Sequence, residues 1–120
     1  MTNNHLESLL STKALSFPPP DEVFWYTSGT IGPYYINTHY LYGSQSEAED
    51  LLEMINFEKD HLEFPLRLRD CVNKQYKSNS IYRSIVDSLI DLIQREASLE
   101  FDAISGGERR DWFFSVAVAE

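Results

Sequence analysis

The residues whose types and spacing could do chemistry lie near the end of the chain, in the run Ser105, Gly106, Gly107, Glu108, Arg109 and Arg110. Two adjacent glycines imply a turn that needs either positive φ or close backbone approach. Turns of that kind, and helix N-termini, point N–H groups outward at anions. The planar guanidinium forks of Arg109 and Arg110 suit phosphate or carboxylate. Glu108 and Asp111 stand beside them with the opposite charge, so a self-paired, solvated loop is the competing reading of the same residues. Residues 101–104 (Phe, Asp, Ala, Ile) predict a short buried strand before the loop, and Asp111 is placed to cap a helix after it.

A second candidate is the aromatic stretch 23–42 (VFWYTSGTIGPYYINTHYLY). Tyr34 and Tyr35 could offer a flat face on which a heteroaromatic ring stacks, or the rings could simply fill the core and cover a sheet face. Near residue 61 a histidine lies among Glu58, Asp60 and Glu63, but there is neither a second histidine at helical spacing nor a second cluster. No metal site is predicted there. Cys71 has no paired histidine at a recognisable spacing and reads as an inert, small apolar residue.

These residues need elements to hold them. Leu6, Leu9, Leu10 and Ala14 recur at helical spacing over residues 5–15, and Pro18, Pro19 and Pro20 end that helix in a stiff spacer. Residues 23–26 and 34–38 predict the two arms of a hairpin, with Gly29 and Gly32 taking the strained turn angles. Residues 46–57 predict an amphipathic helix opened by a capping-box-like Ser46-Glu47-Ala48-Glu49, with Ala48, Leu51, Leu52 and Ile55 on one side. Phe64-Pro65 restarts the chain, and a further helix is expected around Leu66, Leu68, Cys71 and Val72 until Lys77, Ser78 and Asn79 break it. The clearest periodicity runs over residues 80–97, where Ile81, Ile85, Leu89, Leu92 and Ile93 form a stripe widened by Val86 and Ile90. Strand, glycine turn and helix then follow in the order that places a ligand crevice at a strand's carboxyl end.

Composition narrows the function classes. The 120 residues fit a single modest core. Ten Lys and Arg against nineteen Asp and Glu leave a net charge of −9, which disfavours nucleic acid or an anionic membrane surface as the main partner. A lone cysteine forms no internal disulfide, and the first residues carry neither a basic start nor an apolar core, so a reduced, cytoplasmic setting is the expectation. The run from Val116 to Glu120 has no helix-stop residue, which predicts that the helix continues.

Residues 24–37 (FWYTSGTIGPYYIN) resemble the N-terminal hairpin of orotate phosphoribosyltransferases, in which an aromatic precedes Ser-Gly and then Pro-Tyr-Tyr with a polar end; Ser28-Gly29, Pro33-Tyr34-Tyr35 and Asn37 match. The order of elements is also similar: helix, hairpin, long apolar helix, strand, pyrophosphate loop, helix. The resemblance implies an α/β fold, α+β as a fragment, with a helix and hairpin hood over residues 1–43, a helical segment over 44–99 and the start of a phosphoribosyltransferase core sheet over 100–120. It implies a base-binding set of Thr27, Ser28, Tyr34 and Tyr35, and a pyrophosphate loop of Ser105, Gly106, Gly107, Glu108, Arg109 and Arg110 with Arg109 as its cation. The ligands implied are phosphoribosyl pyrophosphate and a pyrimidine-like base, with Mg2+ carried mainly on the pyrophosphate, in a homodimer. Thr27 stands where the family carries lysine, and the loop departs from the family's usual Gly-Pro-Ala wording. The family's Asp-Asp loop and mobile lysine loop are expected beyond Glu120, so the 120 residues are expected to form its first half and to be inactive alone. The competing class is a non-catalytic α+β module that dimerises or docks a partner through the hairpin and the 80–97 helix.

Overall fold

A computed structural model describes residues 2–96 and 100–120, with side chains from His5 onward. In chain order the elements are helix α1 (Thr2–Ser11), strands β1 (Leu15–Ser16), β2 (Phe24–Trp25), β3 (Ile31–Gly32) and β4 (Tyr35–Ile36), and a 3-10 turn (Thr38–Tyr42). Helices α2 (Gln45–Glu58), α3 (Phe64–Ser78) and α4 (Ser80–Glu96) follow, then a second 3-10 turn (Arg109–Asp111) and helix α5 (Trp112–Ala119). The fold is α+β, with helices making most of the structure and two small antiparallel sheets beside them. No helix among the described residues is long and apolar enough to cross a membrane.

Local chemistry explains the helix boundaries. The cap of α2 is Ser44 rather than Ser46: its hydroxyl accepts from the Glu47 amide at 3.3 Å, and the Glu47 carboxylate returns to that hydroxyl at 3.2 Å. Helix α3 begins with Pro65 in its first turn, where the missing N–H is no loss, and it ends at Ser78, within the expected break. Asn79 ends α3 and starts α4, its side-chain oxygen accepting from the Tyr82 amide at 2.9 Å. The continuation of α4 expected at Ala97 lies outside the described residues.

The core is where the helices meet. Ala48, Leu51 and Ile55 of α2, Phe64, Leu68 and Val72 of α3, and Tyr82 and Val86 of α4 are buried at intervals of three or four residues around Tyr42 and Phe113. Tyr82, Ile55, Val72 and Phe113 have no exposed surface at all. Burying side chains of this size contributes roughly 1.5–3 kcal/mol each. Ile81, Ile85, Leu89 and Ile93 are only half-buried and Leu92 is exposed, so the predicted stripe of α4 is a flank of the core-facing side rather than its centre.

Two strand expectations need correction. The arms of residues 23–26 and 34–38 do not pair with each other. Phe24 and Trp25 lie opposite Gly32 and Ile31, while Tyr35 and Ile36 lie opposite Ser16 and Leu15, so the second arm joins a strand between α1 and the proline spacer. The Tyr26 hydroxyl reaches the Tyr34 carbonyl across Gly32, where any Cβ would run into the Tyr26 ring; that close approach draws Ile31 and Gly32 into the hairpin. Residues 101–104 are not a strand: a strand needs a neighbour for its N–H and C=O groups, and the described residues place none beside them.

Candidate functional site

The loop of residues 105–111 joins an irregular segment to α5 and is held by one bond within itself and two ties to the end of α2. Gly107 donates its N–H to the Asp111 carboxylate at 3.1 Å. Arg109 reaches the Asn56 side-chain oxygen at 3.2 Å, and Glu108 pairs with Lys59 at 3.4 Å, both on or just after α2. The Lys59–Glu108 pair is partly exposed and adds at most about 1 kcal/mol. Its structural effect is to orient the loop.

The predicted strained backbone falls on Arg109, with φ of 67°, and not on the two glycines. Crowding bears instead on Gly106, whereas at Gly107 the near atom is the movable end of the exposed Asp111 side chain. A Cβ on Gly106 would stand 2.8 Å from the Ser115 hydroxyl, and one on Gly107 would meet the Asp111 carboxylate. Asp111 precedes α5 but does not cap it with its side chain; the carboxylate turns back to the Gly107 amide. An internal carboxylate therefore occupies an amide of the predicted anion loop. Ser105, Gly106 and Arg110 are exposed, and Arg110 forms no ion pair among the described residues.

The aromatic candidates sit on the strand ribbon. Gly29, at φ of 84°, makes the turn from Tyr26 to Thr30, closed by a 2.8 Å bond from the Tyr26 amide to the Thr30 carbonyl. Thr27 and Ser28 are exposed at its tip, with the Ser28 hydroxyl 2.8 Å from that of Thr30. The Tyr35 ring lies 5.8 Å from Phe24 and 6.3 Å from Tyr26, while Tyr34 projects into solvent. Among the described residues no hydrogen bond, ion pair or ring contact joins residues 27–35 to residues 105–110.

His39 is the feature that sequence reasoning missed. It is 6% exposed on the first 3-10 turn, its ring 4.6 Å from Tyr40 and edge-on to Phe113 at 5.9 Å. Burial holds its pKa below the usual 6.5, the Arg110 charge pushes the same way, and Glu49 opposes them. A depressed histidine pKa means that the fold holds the neutral ring. Its stabilising contribution is present above pH 6.5 and is lost as pH falls below it. Arg110→Ala is expected to move the His39 midpoint upward in an NMR titration; an unmoved midpoint would break the link between the loop and this turn. The only sequence signal was the position of His39 beside the tyrosine run, and nothing in the sequence ties Asn56 or Lys59 to a loop some fifty residues later.

Cys71 is half-buried and its thiol pKa is raised by burial, then by Asp70 and Glu58, in keeping with an inert packing role. Between α4 and α5 runs an apolar cleft of about 470 Å3 that reaches Thr38, Leu41 and the loop at Gly106 and Asp111. No protein-family model, no curated protein and no solved structure matches the chain, so its site is read from its own chemistry.

Proposed function

We propose that the chain supplies the pyrophosphate-contacting loop and the base-covering aromatics of an orotate phosphoribosyltransferase-like enzyme. The observation that carries this reading is the Gly107 amide holding a carboxylate at the N-terminal end of α5, with Arg109, Arg110 and Lys59 around it. A phosphate oxygen asks for the same donors as the Asp111 carboxylate that now takes one of them. The transfer itself is displacement of pyrophosphate from the anomeric carbon by a nitrogen of the base. Little covalent chemistry is asked of the protein, because positioning and stabilisation of the departing charge suffice. Among the described residues no three His, Cys, Asp or Glu side chains group to hold a metal ion. Magnesium would enter on the pyrophosphate, consistent with its preference for substrate phosphates and a few carboxylates. Tyr34 and Tyr35 would flank the base, and Thr27 and Ser28 would border it from the ribbon tip.

The test is calorimetric titration of the chain with magnesium pyrophosphate and with phosphoribosyl pyrophosphate. Binding is expected, weakened about tenfold or more in Arg109→Ala, as loss of a charge-assisted hydrogen bond of about 1.5–3 kcal/mol requires. Equal binding by the variant and the parent, or none by either, overturns the assignment. A second reading, a non-catalytic docking module, is favoured by the exposure of Trp25 (75%) and Ile31 (54%) beside Tyr34 on a ribbon of two-residue strands. In that case Tyr34→Ala would weaken partner capture and leave anion binding untouched.

A further inference from the structure

The charges of the 105–111 loop are not paired as a self-neutralising loop would pair them. Glu108 goes to Lys59, Arg109 goes to the neutral Asn56 side chain, and Arg110 forms no ion pair among the described residues. Asp111 follows Arg110 directly in sequence, yet it forms an ion pair with neither arginine and accepts the Gly107 N–H at 3.1 Å instead. A charged fork is the stronger partner for a carboxylate, so the pairing leaves a guanidinium open while an acid holds a backbone donor beside it. The Asp111 side chain is exposed and free to move. A second position lies within its reach: the residue stands at the head of α5, where the helix dipole favours negative charge, but its side chain makes no cap hydrogen bond there.

We infer that Asp111 is a built-in competitor of the anion loop: its carboxylate holds the Gly107 amide, and a pyrophosphate oxygen binds there by displacing it toward the head of α5. The inference rests on the anion-loop reading and supplies the regulation of that same site. A competitor tethered four residues away acts at high effective concentration. It also repels an incoming anion for as long as it stays beside it. Both effects hold the loop's affinity below what its amide and guanidinium donors alone would give, and both disappear together when the side chain is removed.

The test is calorimetric titration of the whole chain with magnesium pyrophosphate, comparing the parent with Asp111→Asn, Asp111→Ala and Arg109→Ala. Asparagine lacks the charge but keeps an oxygen for the Gly107 amide, whereas alanine lacks both. Asp111→Ala is expected to bind about tenfold or more tightly than the parent, and Asp111→Asn to tighten by a clearly smaller factor. The Gly107 amide proton gives a second readout by NMR: before pyrophosphate is added it should lie upfield in Asp111→Ala relative to the parent, and saturating pyrophosphate should return it downfield. A parent that binds and is weakened by Arg109→Ala, with Asp111→Ala no tighter than the parent, overturns this inference and leaves the anion-loop reading standing. Equal tightening by asparagine and alanine also overturns it, because charge alone then accounts for the gain. If neither the parent nor any variant binds, the anion-loop reading and the inference fall together.

Discussion

Phe113→Ala is expected to lower stability by about 3–5 kcal/mol and the melting temperature by roughly 10–20 °C, measured by thermal and guanidinium unfolding followed by circular dichroism. Helix α5 has eight residues, too few to hold a helix alone in water. Its anchor is Phe113, fully buried, with its ring edge-on to Tyr42 at 5.4 Å and to His39 at 5.9 Å. The residue's carbonyl also accepts the Tyr82 hydroxyl, so side chain and backbone are engaged at one point. Truncation removes a ring from between the first 3-10 turn, α4 and α5 and leaves a cavity that rigid helices close only in part. The control is Leu62→Ala, at a side chain 97% exposed, where a change within about 0.5 kcal/mol is expected. A loss for Phe113→Ala as small as that control would mean that α5 is held elsewhere.

Alkaline pH should unfold the chain steeply, through two tyrosines. Tyr42 and Tyr82 are 7% and 0% exposed, and burial drives both hydroxyl pKa values far above 10. Cys71 and Glu47 add to the rise at Tyr42, and Tyr42 itself adds to that at Tyr82. Because the folded values are raised above the unfolded value, the contribution is fully present below pH 10 and is lost as pH climbs toward the folded values. Each tyrosine removes about 1.4 kcal/mol per pH unit in that window, so the pair removes roughly 2.7. Melting temperatures taken from pH 9 to 12 should fall, and Tyr42→Phe should make the fall shallower without removing it, because Tyr82, Cys71 and Tyr40 also carry raised values. The idea fails if the parent's melting temperature is flat across that range.

How much was legible in the sequence follows the range of the interactions involved. The helices were visible because their determinants are local: Ala48, Leu51 and Ile55 repeat on one face, and Phe64-Pro65 restarts the chain as α3. The cap of α2 was placed two residues late because Ser46 also precedes a glutamate at the following turn, and only the Ser44 hydroxyl meeting the Glu47 amide decides between them. Strand pairing is not local. Tyr35 and Ile36 have the propensity for a strand, but their partners are Leu15 and Ser16, some twenty residues earlier across the proline spacer. The loop was found by residue type, whereas its ties to Asn56 and Lys59 and its neighbour His39 come from the folding of α2 and the first 3-10 turn against it. Phe101 and Ile104 have side chains that suit a strand, but among the described residues no strand lies beside them.

The contrast between ribbon and core also has a spectroscopic consequence. The two tryptophans divide between them: Trp25 stands on the ribbon, three-quarters exposed, and Trp112 is half-buried with its ring 5.9 Å from Phe64. Emission from the intact chain is therefore a sum of a water-bathed indole that ignores the packing of α5 and a shielded one that reports it. With Trp25 replaced by phenylalanine, the remaining signal becomes a single optical gauge of whether α5 is seated on α3.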